Sequence, residues 1–145
     1  MATDRRAEVT WRGSLLEGSG TIESTTSGAF GGLGVTWKAR SEDDHGGLTS
    51  PEELIAAAHA ACFSMALSSG LAKAGTPADE LDTSATVTFQ PGEGVTRVAL
   101  TVEGRVPGMG AEAFAEAARA AKENCPVSKA LAGVPEMTVD ARLAS

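Results

Sequence analysis

Two cysteines, Cys62 and Cys125, are the most reactive side chains in the sequence, with His45 and His59 as its two imidazoles. A thiol reacts as its thiolate, which a helix N-terminus or a nearby cation favours and apolar surroundings disfavour. By that rule Cys125 is the better nucleophile, because it directly precedes Pro126 at a predicted helix start, where unpaired N–H groups favour negative charge. Cys62 lies within an apolar stretch and is followed by Phe63, so its thiol requires a cation to ionise. Arg40 is the candidate cation, at the end of a predicted strand just before the loop that leads to the Cys62 helix. Glu52 could hold that guanidinium by a bidentate pair, although a glutamate in a first helical turn already stabilises the dipole without further duty.

Other chemistries are less well served. His59 and Cys62 stand at i and i+3 and can touch on a helix, but a Cys–His acyl-transfer enzyme also needs an oxyanion site and an orienting third group. No G-x-S-x-G and no HExxH or paired CxxC occurs, and Asp43-Asp44-His45 reads as a solvated acidic loop. The glycines of 28–34 have neither the GxGxxG order nor the GK[ST] ending of a phosphate cradle. Two cysteines are too few for a secreted disulfide scaffold. The residues alone leave open a reversible redox pair, a Cys–His dyad and two inert core thiols.

The elements that must position these groups are legible from period and caps. Glu8–Arg12 and Val35–Arg40 alternate as strands and Gly18–Ser24 is a weaker one, together a small antiparallel sheet. Ser50-Pro51-Glu52-Glu53 has the form of a capping box, with proline at the first helical position, and predicts a helix to about Ala74, where Gly75 and Pro77 end it. A hairpin follows, Ser84–Phe89 turning at Pro91–Gly94 into a strand with Val98, Leu100 and Val102 on its buried face. Ala111–Asn124 and Pro126–Leu131 read as helices with Cys125 at their joint, and Met137, Val139 and Ala141 as a last strand. The order is that of an α+β protein, with antiparallel sheets around a long buried central helix.

Length and charge set the outer bounds. The 145 residues suit one domain, and 42% apolar against 21% charged residues suffices for a core. A net charge of −7 argues against nucleic acid and anionic membrane as partners. Leu54–Ala72 is uncharged over 19 residues, but it is rich in Ala, Ser and Gly and contains His59, as a buried helix of a soluble protein would be. The N-terminus has no apolar run of signal-peptide length, so a cytoplasmic location is expected.

Helix geometry adds a constraint on assembly. Glu52 and Cys62 are ten residues apart, about 15 Å along a straight helix and about 80° around it, so one chain cannot bring them into one site. Two such helices packed antiparallel about a two-fold axis near Ala57 would place Glu52 level with Cys62 of the partner subunit. The surrounding alanines permit a close approach, which predicts an isologous homodimer with two composite sites.

The run Ser50-Pro51-Glu52-Glu53-Leu54-Ile55-Ala-Ala-Ala-His59-Ala-Ala-Cys62-Phe63-Ser64-Met65-Ala66-Leu67, with Cys125-Pro126-Val127-Ser128 downstream, resembles the OsmC/Ohr family of peroxidases. His59 and the Cys-Pro-Val-Ser wording resemble its OsmC branch. The resemblance implies an intertwined α+β homodimer and a thiol-dependent peroxidase acting on organic hydroperoxides. It assigns Cys62 as the peroxidatic cysteine and Cys125 as the resolving one, reversing the ranking above, with Arg40 and Glu52 as the site arginine and glutamate. Turnover would need an external thiol or dithiol and no metal, haem or flavin. Phe30, Phe63, Met65 and Met109 are candidates for an apolar pocket. A redox sensor that does not turn over, or a Cys–His acyl-transfer enzyme, are the competing readings.

Overall fold

Short alternating segments separated by glycines build the N-terminal part of the chain as a sheet. In the computed structural model, which describes residues 1–144, strands β1 (Ala7–Arg12), β2 (Ser19–Thr25) and β3 (Leu33–Val35) pair antiparallel in the order β1-β2-β3. Val9 and Trp11, read as the apolar face of β1, stay 58% and 40% exposed. The strand expected over Val35–Arg40 ends at Val35 and gives way to a short helix, α1 (Trp37–Ser41). Thr36 is the reason: its Oγ1 accepts the Ala39 N–H at 3.0 Å, and this N-cap overrides the alternation of Val35, Trp37 and Ala39. Arg40 therefore sits on a helix, not at a strand end.

The chain divides into two compact units, residues 1–51 and a second from Glu52 onward. The long helix α2 (Pro51–Lys73) opens on Pro51, with Glu52 and Glu53 in its first turn. It closes as its sequence requires. Gly75 takes φ +87°, Thr76 N–H reaches the Leu71 carbonyl at 3.0 Å and Gly75 N–H the Ala72 carbonyl at 3.0 Å, a paired C-cap that only a left-handed residue allows. Its 23 residues span about 35 Å. Along it Glu52, His59, Phe63, Leu67 and Leu71 are buried. In the single chain the rest of α2 is far more open than a buried central helix would be: Ala57, Ala58, Ala61 and Met65 are exposed.

Strands β4 (Glu80–Gln90) and β5 (Gly94–Arg105) form the predicted hairpin, longer at both ends than the turn signals suggested. Helices α3 (Ala111–Asn124) and α4 (Pro126–Ala130) follow, and then β6 (Glu136–Leu143). β6 lies beside β5 and runs parallel to it, so the second sheet is mixed where an antiparallel one was expected. Two intervening helices make such a crossover possible, since a parallel neighbour needs a long connection. The core of this unit gathers Phe63, Leu67 and Leu71 of α2, Leu100 and Val102 of β5, and Phe114, Ala118, Ala121 and Cys125 from α3 and its end.

Gly104 on β5 marks the tightest place in that core. A Cβ there would run into the edge of the Phe114 ring and stand 3.3 Å from Leu81 Cδ2. Gly104→Ala should accordingly destabilise the protein by about 1–3 kcal/mol through overpacking. Urea unfolding with an unchanged m-value and a lowered midpoint would establish this, and an unchanged midpoint would contradict it.

Candidate active site

Each cysteine is delivered by an apolar stripe. On α2, Cys62 adjoins Phe63, whose ring is fully buried in the core, so packing of the helix fixes the thiol beside it. On α3, the buried row Phe114, Ala118 and Ala121 continues four residues on to Cys125, which is 0% exposed. Cys125 ends α3, donating its backbone N–H to the Ala121 carbonyl at 2.9 Å, and Pro126 at the next position starts α4. The two helices therefore share Cys125 as their joint, as the sequence predicted.

The fold brings Cys62 and Cys125 together as free, hydrogen-bonded thiols, Cys62 half-buried and Cys125 buried. Burial pushes the Cys62 thiol up, the neighbouring Cys125 sulfur adds to this, and the Val127 amide offsets a part. Burial alone would raise Cys125 as well. It is outweighed by the Ser128 amide, the Cys62 thiol, the Ser128 hydroxyl and the Val127 amide, which together hold Cys125 below an ordinary thiol. The charge of this dithiol thus falls first on Cys125, in agreement with its position before Pro126. Because the sulfurs are hydrogen-bonded, the first proton lost belongs to the pair. Exposure separates them in the opposite sense, since an outside molecule can reach only Cys62.

His59, one helical turn from Cys62, is fully buried and points elsewhere. Its Nε2 lies 2.7 Å from Ser128 Oγ, while its Nδ1 has no hydrogen-bond partner among the described residues. Burial lowers its pKa and keeps the ring neutral. The Cys–His dyad is therefore not assembled, because the imidazole engages a serine and not the thiol. Ser128 joins His59 to Cys125, a function that its place in the Cys-Pro-Val-Ser run did not disclose. The available signal was its spacing, three residues after Cys125 in the first turn of a helix, where a hydroxyl can turn back to the preceding side chain.

Glu52 is 6% exposed in the first turn of α2, ten residues before Cys62 on one unbroken helix, so the chain by itself does not unite them. Arg40 lies on α1 in the first unit, its guanidinium carbon 6.0 Å from the centre of the Trp37 ring. Among the proposed pocket residues, Phe63 is core and Met109 packs against the core, while Met65 is 72% and Phe30 44% exposed. Phe63 is thus removed from the pocket by the same packing that positions Cys62. Among the described residues no cluster of three or more His, Cys, Asp or Glu is placed to hold a metal ion.

Comparison with known proteins places the chain among relatives. Residues 43–140 match the family model described as OsmC-like protein. Peroxiredoxin OsmC of Escherichia coli (strain K12) is 40% identical over 148 aligned residues, covering 100% of this chain and 100% of that protein. The organic hydroperoxide resistance protein OhrB of Bacillus subtilis superposes with a TM-score of 0.64 at 26% identity, over 96% of this chain and 98% of that one. An OsmC-like protein from Mycoplasma pneumoniae shares the fold with a TM-score of 0.69 at 18% identity, over 99% and 100% of the two chains.

The buried neutral His59 makes stability pH-dependent. Its folded pKa is below the ordinary imidazole value of about 6.5, so the unfolded chain binds the extra proton first. The contribution of the neutral ring is fully present above that pH and is lost as pH falls below it, with a limiting slope of about 1.4 kcal/mol per pH unit. Chemical denaturation between pH 6.5 and 5 should show wild-type stability falling more steeply than that of His59→Gln. Parallel curves would refute this assignment.

Proposed function

The chain belongs to the OsmC-like protein family, and on that premise we propose that it reduces organic hydroperoxides to alcohols through a Cys62 sulfenic acid and a Cys62–Cys125 disulfide. It is a cysteine-based peroxidase. The observation that carries the disulfide route is the contact of a reachable Cys62 with a fully buried, thiolate-favouring Cys125. In the first step the Cys62 thiolate attacks the outer peroxide oxygen. The O–O bond breaks, an S–O bond forms, the sulfur is oxidised by two electrons, and the departing alkoxide leaves as the alcohol after taking up a proton. Cys125 then condenses with Cys62–S–OH, forming the S–S bond and releasing water. An external thiol or dithiol opens this disulfide by exchange, and the sequence of steps calls on no metal, haem or flavin.

The family resemblance gives Arg40 the part of the cation that lowers the Cys62 thiol, which burial otherwise raises, and Glu52 the part of the carboxylate that orients it. Glu52 reaches Cys62 through a homodimer. The exposed Ala57, Ala58, Ala61 and Met65 of α2 support an interface there, because a helix this apolar is otherwise left half in water. The family match runs across the boundary between the two units and supports one functional domain. We place the reaction in the cytoplasm, where reducing thiols would return both cysteines to the thiol state between turnovers. The same sulfur pair would serve a sensor that is oxidised once and then docks elsewhere.

With excess dithiol, steady consumption of an alkyl hydroperoxide is the expected result, whereas a sensor stops after one equivalent. Cys62→Ser should fall to the background rate, and Cys125→Ser should stall with one added oxygen on Cys62 by intact mass. Retained turnover in Cys62→Ser would exclude the mechanism. Sedimentation should give a dimer, with Ala57→Arg splitting it and lowering turnover. A fully active monomer would remove the composite site.

A further inference from the structure

The hydrogen-bond inventory around His59 extends the site beyond its two sulfurs. The ring is fully buried, with Nε2 2.7 Å from Ser128 Oγ and Nδ1 without a partner among the described residues. A neutral imidazole carries its proton on one nitrogen only, and the hydroxyl of Ser128 has a single proton to give. With the proton on Nδ1, a buried N–H would be orphaned, and Nε2 would draw the Ser128 proton away from Cys125. With the proton on Nε2, only a lone pair goes unused, Ser128 Oγ accepts, and its own proton stays free for the sulfur. An imidazolium would instead bury an uncompensated charge together with the orphaned N–H. The second arrangement leaves the least polar capacity unmet and is the one consistent with a Ser128 hydroxyl that favours the Cys125 thiolate.

We propose that His59 is a positioning residue for the resolving step: by donating Nε2–H to Ser128 Oγ, it commits the Ser128 hydroxyl proton to the Cys125 sulfur. The inference rests on the Cys62–Cys125 disulfide reading. In that step Cys125 gives up its proton and attacks the sulfur of Cys62–S–OH. The S–S bond forms, the S–O bond breaks, and hydroxide leaves as water with the proton from Cys125. The sulfenic sulfur is reduced by one electron equivalent and the Cys125 sulfur is oxidised by one. Cys125 must carry its charge at a fully buried position, where each donor to the thiolate counts more than it would in water. His59 touches neither substrate nor reacting sulfur and acts only through the serine.

The test is a single turnover of the full chain with one equivalent of cumene hydroperoxide, following alcohol release, dimedone-trapped sulfenic acid and disulfide by mass. His59→Gln keeps an N–H donor near the Nε2 position, whereas His59→Asn ends too short to reach the serine. We expect His59→Asn and Ser128→Ala each to slow disulfide formation by about tenfold, as loss of one hydrogen bond to a charged group does. Alcohol release should slow by less than about twofold, and the sulfenic acid should live correspondingly longer. His59→Gln should restore most of the lost rate, and the double variant His59→Asn/Ser128→Ala should be no slower than either single one. Unchanged disulfide formation in His59→Asn, equal slowing of both phases, or Gln behaving like Asn would overturn the positioning role. Absence of any disulfide in the wild type would instead bring down the reading on which the role rests, and with it the role.

Discussion

In the reduced protein two thiols from distant parts of the chain lie within hydrogen-bonding reach of one another, and much of the second unit is built to hold them so. Cys62 is placed by the stripe His59, Phe63, Leu67 and Leu71 on α2, and Cys125 by the row Phe114, Ala118 and Ala121 on α3. Both stripes enter the same core with Leu100 and Val102 of β5. Pro126 then fixes where α3 ends and α4 begins, so the second sulfur cannot slide along a helix. The glycine at 104 belongs to the same arrangement, because it is the absence of a Cβ there that lets the Phe114 ring seat.

Within the pair, charge and access point in opposite directions. The amides and hydroxyl around Cys125 draw the negative charge to the sulfur that solvent does not reach, while burial raises the sulfur that solvent does reach. A hydrogen-bonded dithiol tolerates this conflict because one proton serves both sulfurs, and the site ionises as a unit. The buried sulfur is thereby suited to attack a sulfenic acid formed beside it. The more open one is suited to meet a hydroperoxide, provided a cation lowers its thiol.

The polar chain His59–Ser128–Cys125 is unusual for a core that is otherwise apolar. A buried imidazole with an unused nitrogen destabilises the fold, and burial of an ionisable ring makes stability depend on pH. Such a group at a site of sulfur chemistry has a physical rationale when its one used nitrogen decides which way a neighbouring hydroxyl points.

Much of the architecture could be read from residue types and spacing, because caps and periodicity are short-range effects. Pro51 with Glu52 and Glu53, the Gly75–Pro77 stop, the hairpin and the Cys125–Pro126 joint each depend on a few neighbouring residues. The same local reading misjudged Val35–Arg40, where one threonine side chain turned an alternating run into a helix, and it expected antiparallel pairing where β6 runs parallel to β5. What the chain order could not provide were the partners of the chemical groups. Cys62 and Cys125 are separated by 63 residues and His59 and Ser128 by 69, and only the joint packing of α2, α3 and β5 decides that each pair meets. The sequence by itself determined which residues could react and the elements that carry them. The tertiary structure decided that the two sulfurs meet, which of them is reachable and which serine the histidine holds, since exposure, packing and hydrogen bonding belong to neighbours in space.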